Sequence, residues 1–321
     1  MSAFLPTSLG ENAKKIWKYL KMHTVDFLWS AIKTPVKFIF HCVRRFVTER
    51  RMKHKGFIIG DNAADGIWSN DPLDICYVAI DKDFETLIHS IEFAKRNVRH
   101  PIANIFVVST SESLIENFCK EHDIHFIDES SVTELKKSEI DFNFGGLNRS
   151  GWILQQMIKL SVDRFCKSQS ILVLDADTMI TRPQIFRNKE VLFLSFSDER
   201  HIPYREFFSR ITGFQYPRIS FVSHHALIDV DVLASLKQHI ENRCGTHWET
   251  ALVDNFDRDT MSPMSEYDLY GFFTLNHYDQ RLLRLTYWEN KSFPRSRLPI
   301  VLEALSKTAP RYKSISFHEH F

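Results

Sequence analysis

Glycine and proline are scarce in this 321-residue sequence, at 10 and 11, which argues against a mostly disordered or low-complexity chain. Cysteine is scarce too. Cys42, Cys76, Cys119, Cys166 and Cys244 are odd in number and form no CxxC pair. A disulfide framework or a zinc ribbon is therefore not expected, and a reducing compartment is. No window offers the ~18 apolar residues that a membrane span needs. The opening MSAFLPTSLGENAKK lacks the charged-then-apolar order of a signal peptide, so the expected location is cytoplasmic.

What is present is apolar and unevenly charged. Hydrophobic residues make up 44% of the chain and include 27 Phe, enough for one large α/β domain with additions or for two small domains. The net charge of +1 hides an asymmetry. Residues 1–60 hold 12 Lys/Arg against 3 Asp/Glu, whereas the remainder holds 29 against 37. Over 11–55, apolar residues recur at helical spacing among lysines and arginines, and Pro35 divides the run into two helices. Residues 1–60 thus read as a basic amphipathic helical arm. Such an arm suits an anionic membrane surface, on the inner face of the cytoplasmic membrane. The rival reading is an ordinary helical pair packed on the main domain. No nucleic-acid partner is expected.

After a polar linker at 61–73 the pattern changes. Short apolar runs at 75–80, 104–109, 124–127 and 171–174 read as strands, with helices at 84–97, near 111–121 and at 149–167. Strands alternating with helices imply crossovers and a mostly parallel sheet. Further strands are expected at 191–196 and 220–228.

The stretch ILVLDADT (171–178) carries the most chemistry. An apolar strand ends in Asp175 and Asp177, one residue apart. Ligands bind beyond the carboxyl ends of strands in open α/β sheets. Two carboxylates there can share one hard divalent cation, Mn²⁺ or Mg²⁺, whose remaining oxygens come from waters and substrate phosphates. Such an ion stabilises a departing nucleoside diphosphate. The competing reading is a turn with helix-capping Asp. A haloacid-dehalogenase-type phosphatase would carry D-x-D-x-T/V, but Thr178 comes one position early and three strands precede this one.

LVLDADT resembles the corresponding segment of glycogenin-like transferases. A closer resemblance is to a bacterial family, long catalogued only as a domain of unknown function and regarded as GT-A glycosyltransferases. The pieces that carry it are DICYVAIDKDF (74–84), RSGWILQQMIKL (149–160), LVLDADT (172–178), FVSHH (221–225) and SEYDLYG (265–271), in this order. One departure is Ala79-Ile80, where a Pro-Val-like pair is expected. The resemblance implies a GT-A (Rossmann-like nucleotide-diphospho-sugar transferase) α/β fold over about 70–285. The helical arm would precede it and a basic tail, 286–321, would follow.

The same resemblance implies roles. Asp81 and Asp83 follow strand one, where a nucleoside would sit in this fold; the rival reading is an ordinary polar loop. Arg149, Gln155 and Lys159 would face the nucleotide sugar. His224 and His225 follow a predicted strand, so their side chains point opposite ways; one would belong to the core and the other would face the acceptor. In glycogenin-like enzymes a late His completes the metal shell, a role open to His318 or His320; the rival is a His-bearing tail. Inverting GT-A enzymes often place their base at a helix start, which points to Glu266 first and Asp268 second; an enzyme that retains anomeric configuration needs neither as a base. Ser265 with Asp268 also reads as an ordinary capping box. The expected function is metal-dependent transfer of a sugar from a nucleotide sugar to a hydroxyl of a surface glycan or lipid-linked saccharide. A nucleotidyltransferase is the alternative, although the loop after strand one lacks its Gly-rich phosphate turn. A non-catalytic, membrane-associated scaffold with this fold is another.

Overall fold

The structure is a computed structural model that describes residues 42–197, 199 and 201–318. The chain separates into two units with a boundary between Arg51 and Met52. Of the basic arm, residues 1–41, including Pro35, lie outside the described residues. The described part is helix α1 (42–54).

From Met52 onward the chain forms one unit around a five-stranded sheet. Its strands are β1 (Leu73–Val78), β2 (Ile102–Ser109), β3 (His125–Asp128), β6 (Ser170–Asp175) and β10 (His225–Asp229), in the order β10-β6-β1-β2-β3. The neighbouring pairs among β1, β2, β3 and β6 are parallel, and β10 runs antiparallel to β6. The α/β class with a mostly parallel central sheet, expected from the sequence, is the one observed. The apolar runs follow from burial on both faces: all six residues of β1 are buried, as parallel strands under crossover helices must be.

Helix α2 (Phe84–Asn97) has the expected limits and buries Leu87, Ile91 and Ala94, spaced to share one face. Helix α3 (Leu114–Glu121), the short α4 (Lys137–Ile140) and the hairpin β4 (Asn143–Phe144) and β5 (Leu147–Asn148) follow. Helix α5 (Ser150–Lys159) stops eight residues before the expected end, and a 3-10 turn at Val162–Arg164 replaces the rest. The strand expected at 220–228 shrinks to β10, because Ser220 forms only an isolated bridge to Ser197.

Beyond the sheet, β7 (Thr178–Ile180) turns back directly after β6. Strands β8 (Arg187–Asn188) and β9 (Val191–Phe196) lead to helices α6 (Ile202–Thr212), α7 (Val230–Cys244), α8 (Trp248–Asp254) and α9 (Glu266–His277). Strand β11 (Leu283–Tyr287) joins β9 in parallel. Residues 286–321, read from the sequence as a basic tail, contain β12 (Asn290–Pro294), α10 (Leu298–Lys307) and β13 (Ser314–His318). β13 pairs with β12 and with β7, and Ile315 and Phe317 bury against Met179 and Leu298. The alternation Ile315, Phe317 inward is an ordinary strand signal.

Candidate active site

Register places the site. Val78 pairs with Asp175, so the carboxyl ends of β1 and β6 lie side by side. A cavity of about 740 Å³ opens there, lined among others by Val78, Asp83, Arg149, Gln155, Lys159, Asp175, Asp177, His224, Glu266, Tyr267 and His318. The turn between β6 and β7 projects Asp175 and Asp177 into it. Three side chains pin that turn: Ser90 donates to the Thr178 carbonyl at 2.5 Å, Asn97 donates to that of Ile180 at 2.7 Å, and Thr178 Oγ1 meets Ser316 Oγ at 2.7 Å.

At the cavity floor lies a buried polar cluster. Lys159 Nζ donates to Asp175 Oδ1 at 2.5 Å, to Glu266 Oε1 at 2.7 Å and to Tyr267 Oη at 3.1 Å. Tyr267 Oη in turn donates to Asp175 Oδ1 at 2.5 Å, and His224 Nδ1 lies 3.1 Å from Asp175 Oδ2. Burial works against the charge on Asp175, yet the Lys159 ammonium and the His224 hydrogen bond hold its carboxyl well below the usual range. Burial likewise opposes the charge on Lys159, but Asp175 and Glu266 raise its pKa well above the ordinary value. Glu266, unlike Asp175, is shifted up: burial and the nearby Asp175 raise it against the pull of Lys159. His224 is penalised by burial but raised by its bond to Asp175.

Asp177 stands at the other side of the turn, its Oδ2 3.1 Å from His318 Nδ1. The rings of His224 and His318 lie 5.2 Å apart, so both imidazoles border the carboxylate pair. Among the described residues, no three His, Cys, Asp or Glu side chains form a ready-made metal cage. The donor chemistry still fits an ion that takes its remaining ligands from phosphate and water: two carboxylates and an imidazole converge on one cavity wall.

The cavity gathers Asp83, Arg149, Gln155, Lys159, Asp175, Asp177, His224, Glu266 and His318. Gln155 donates to the Val78 carbonyl at 3.3 Å. The Arg149 guanidinium lies 4.6 Å from the Trp152 ring centroid. Asp83 is engaged by Arg295 Nη2 at 2.8 Å, which also ties the β12–α10 segment to the loop after β1.

Three expected residues sit elsewhere. Asp81 is not on the cavity wall; its Oδ1 accepts from the backbone N–H of Leu114 at 3.1 Å, at the start of α3. His225 is buried in the core, against Trp288 and 2.9 Å from Ser195 Oγ: β10 begins there, and His224 before it stands outside the strand with φ 61°. Burial lowers its pKa to about 3, so it stays neutral. Asp268 is also buried away from the cavity. Ser265 caps its N–H as expected, but its own Oδ1 accepts from Phe221 N at 2.6 Å and Ser220 Oγ at 3.0 Å. The reciprocal half of a capping box is absent because the carboxylate serves a neighbouring segment. His320 lies outside the described residues.

The sequence reading missed Tyr267 and Arg295. Tyr267 stands between the two singled-out acids in SEYDLYG and was open to view there. Arg295 had no local signal, because its contact with Asp83 spans 212 residues.

With this geometry in view, the comparisons place the chain. The protein has an α/β fold with its site at the carboxyl edge of a mostly parallel sheet. It belongs to a family of unknown function (DUF6492), whose model matches residues 83–307. No curated protein matches its sequence. Among solved structures it is similar to mouse xyloside xylosyltransferase 1 in its apo form, at 12% identity and TM-score 0.43, over 76% of this chain and 97% of that one. It is similar to the galactosyltransferase LgtC in complex with donor and acceptor sugar analogues, at 12% identity and TM-score 0.40, over 76% and 87%. A third is glucosyl-3-phosphoglycerate synthase from Mycobacterium tuberculosis with Mn²⁺, UDP and glucosyl-3-phosphoglycerate, at 12% identity and TM-score 0.36, over 68% and 70%.

Proposed function

We propose that this protein is a GT-A-type glycosyltransferase that moves a sugar from a nucleotide-sugar donor to a hydroxyl of a surface glycan or lipid-linked saccharide. The observation that supports it is the carboxylate pair Asp175 and Asp177, held by a pinned turn on the lining of a cavity large enough for a nucleotide sugar. Asp175, Asp177 and His318 would hold a divalent ion, Mn²⁺ or Mg²⁺. When bound, it would supply charge stabilisation for the departing nucleoside diphosphate.

The chain's own residues do the rest. Lys159 keeps Asp175 ionised and fixes Glu266 beside it, so both carboxylates are held before substrate arrives. Gln155, Lys159 and Arg149 line the donor path, and Asp83 with Arg295 closes the end near β1. Glu266 takes the role of base, since it lines the cavity and burial strengthens its basicity. Asp268 is left a positioning role through Ser220 and Phe221.

Thermal shift with a set of nucleotide sugars, with Mn²⁺ or EDTA, tests this reading. At least one nucleotide sugar should raise Tm in Mn²⁺ by mass action, and Asp177→Asn should lose the Mn²⁺-dependent part. A wild-type protein that responds to no nucleotide sugar would overturn the reading, as would an Asp177→Asn variant that transfers sugar fully in EDTA.

A further inference from the structure

Helix α1 offers an independent observation. Val43, Phe46 and Val47 fall at positions i, i+3 and i+4, hence on one face, and they are 54%, 63% and 47% exposed. Residues 42–55 also carry Arg44, Arg45, Arg50, Arg51, Lys53 and Lys55 against a single acid, Glu49, which pairs with Arg45 at 2.8 Å. An exposed apolar stripe beside this excess of cations calls for an occupant that is anionic and apolar at once.

We infer that α1 docks on an anionic lipid surface, with Val43, Phe46 and Val47 entering the headgroup boundary and the flanking cations meeting lipid phosphates. Residues 1–41 carry charge of the same sign, 6 lysines against 2 acids, and so add repulsion rather than counter-charge. A second copy of this helix meets the same repulsion. A nucleic acid would satisfy the cations but gains nothing from the apolar stripe. The inference does not depend on the catalytic reading, since binding to lipid is measured without turnover.

The test is co-sedimentation of the full chain with vesicles of phosphatidylcholine alone or with one-quarter phosphatidylglycerol. Wild-type protein should bind the anionic vesicles, and binding should weaken as added salt screens the attraction. F46D/V47D should lower the apparent affinity at least ~10-fold by removing apolar burial, and R50E/R51E at least ~10-fold by reversing charge. Both variants should unfold at the wild-type temperature, so a lost fold is distinguished from a lost surface. Equal binding of wild type and F46D/V47D would overturn the inference, as would equal binding to neutral and anionic vesicles. Absence of vesicle binding together with binding of a DNA duplex that F46D/V47D retains would assign the cations to nucleic acid instead.

Discussion

Asp268 is buried in the fold without facing the cavity. Its carboxylate is 1% exposed, and its Oδ2 has no hydrogen-bond partner among the described residues. Burial pushes its pKa up to about 7, against the ordinary 3.8. Between about pH 4 and pH 7 the folded protein therefore holds a proton that the unfolded chain has released. Stability contributed by this group falls as pH rises through that window and is level above it. Asp268→Asn keeps the acceptor for Phe221 and Ser220 but does not titrate. The wild-type Tm should therefore fall relative to that of Asp268→Asn from pH 4 to 7. Parallel Tm curves for the two proteins would show that Asp268 is not protonated in the fold. His225 works in the opposite sense, since its depressed pKa favours the folded state as pH rises from about 3 to 6.5, so the difference between the two proteins is the cleaner measure.

Helix α9 explains what was and was not legible one scale up. Its start at Glu266 and its N-cap Ser265 could be read from SEYDLYG, because caps and turns are local. The limits of α2, and β6 running into the carboxylate pair, were local in the same way. What escaped was set by distance in sequence. Asp268 bonds to residues 47 and 48 positions away, and Phe317 N donates to the Asp177 carbonyl across 140 residues. Gly271 belongs to this second kind. A Cβ there would meet Phe221 Cγ at 2.2 Å, so α9 rests directly on the ring whose backbone Asp268 holds. In most helix interiors Gly→Ala stabilises by up to ~1 kcal/mol. Gly271→Ala should do the reverse and cost about 1–3 kcal/mol by overpacking, seen as a lower urea midpoint. A raised midpoint would mean that Phe221 moves aside freely.

For the whole molecule, the unit that holds the cavity does not end where the alternating pattern ends. β13 supplies a neighbour to β7, and with α10 it covers Met179, so residues past 285 belong to the support of the Asp175–Asp177 turn. A chain ending at residue 285 should therefore lose cooperative unfolding and expose apolar surface to a dye such as ANS. If it unfolds like the full chain, the later elements are an ornament. The same pairing sets an order of events in time. A ribosome delivers residues at roughly 5–20 per second. The Asp177 turn thus emerges on the order of ten seconds before Ser314–His318 arrive to brace it. A nascent chain would hold its carboxylates with only the Ser90 and Asn97 contacts for that interval, so translation itself delays the moment at which the chain can first close its site.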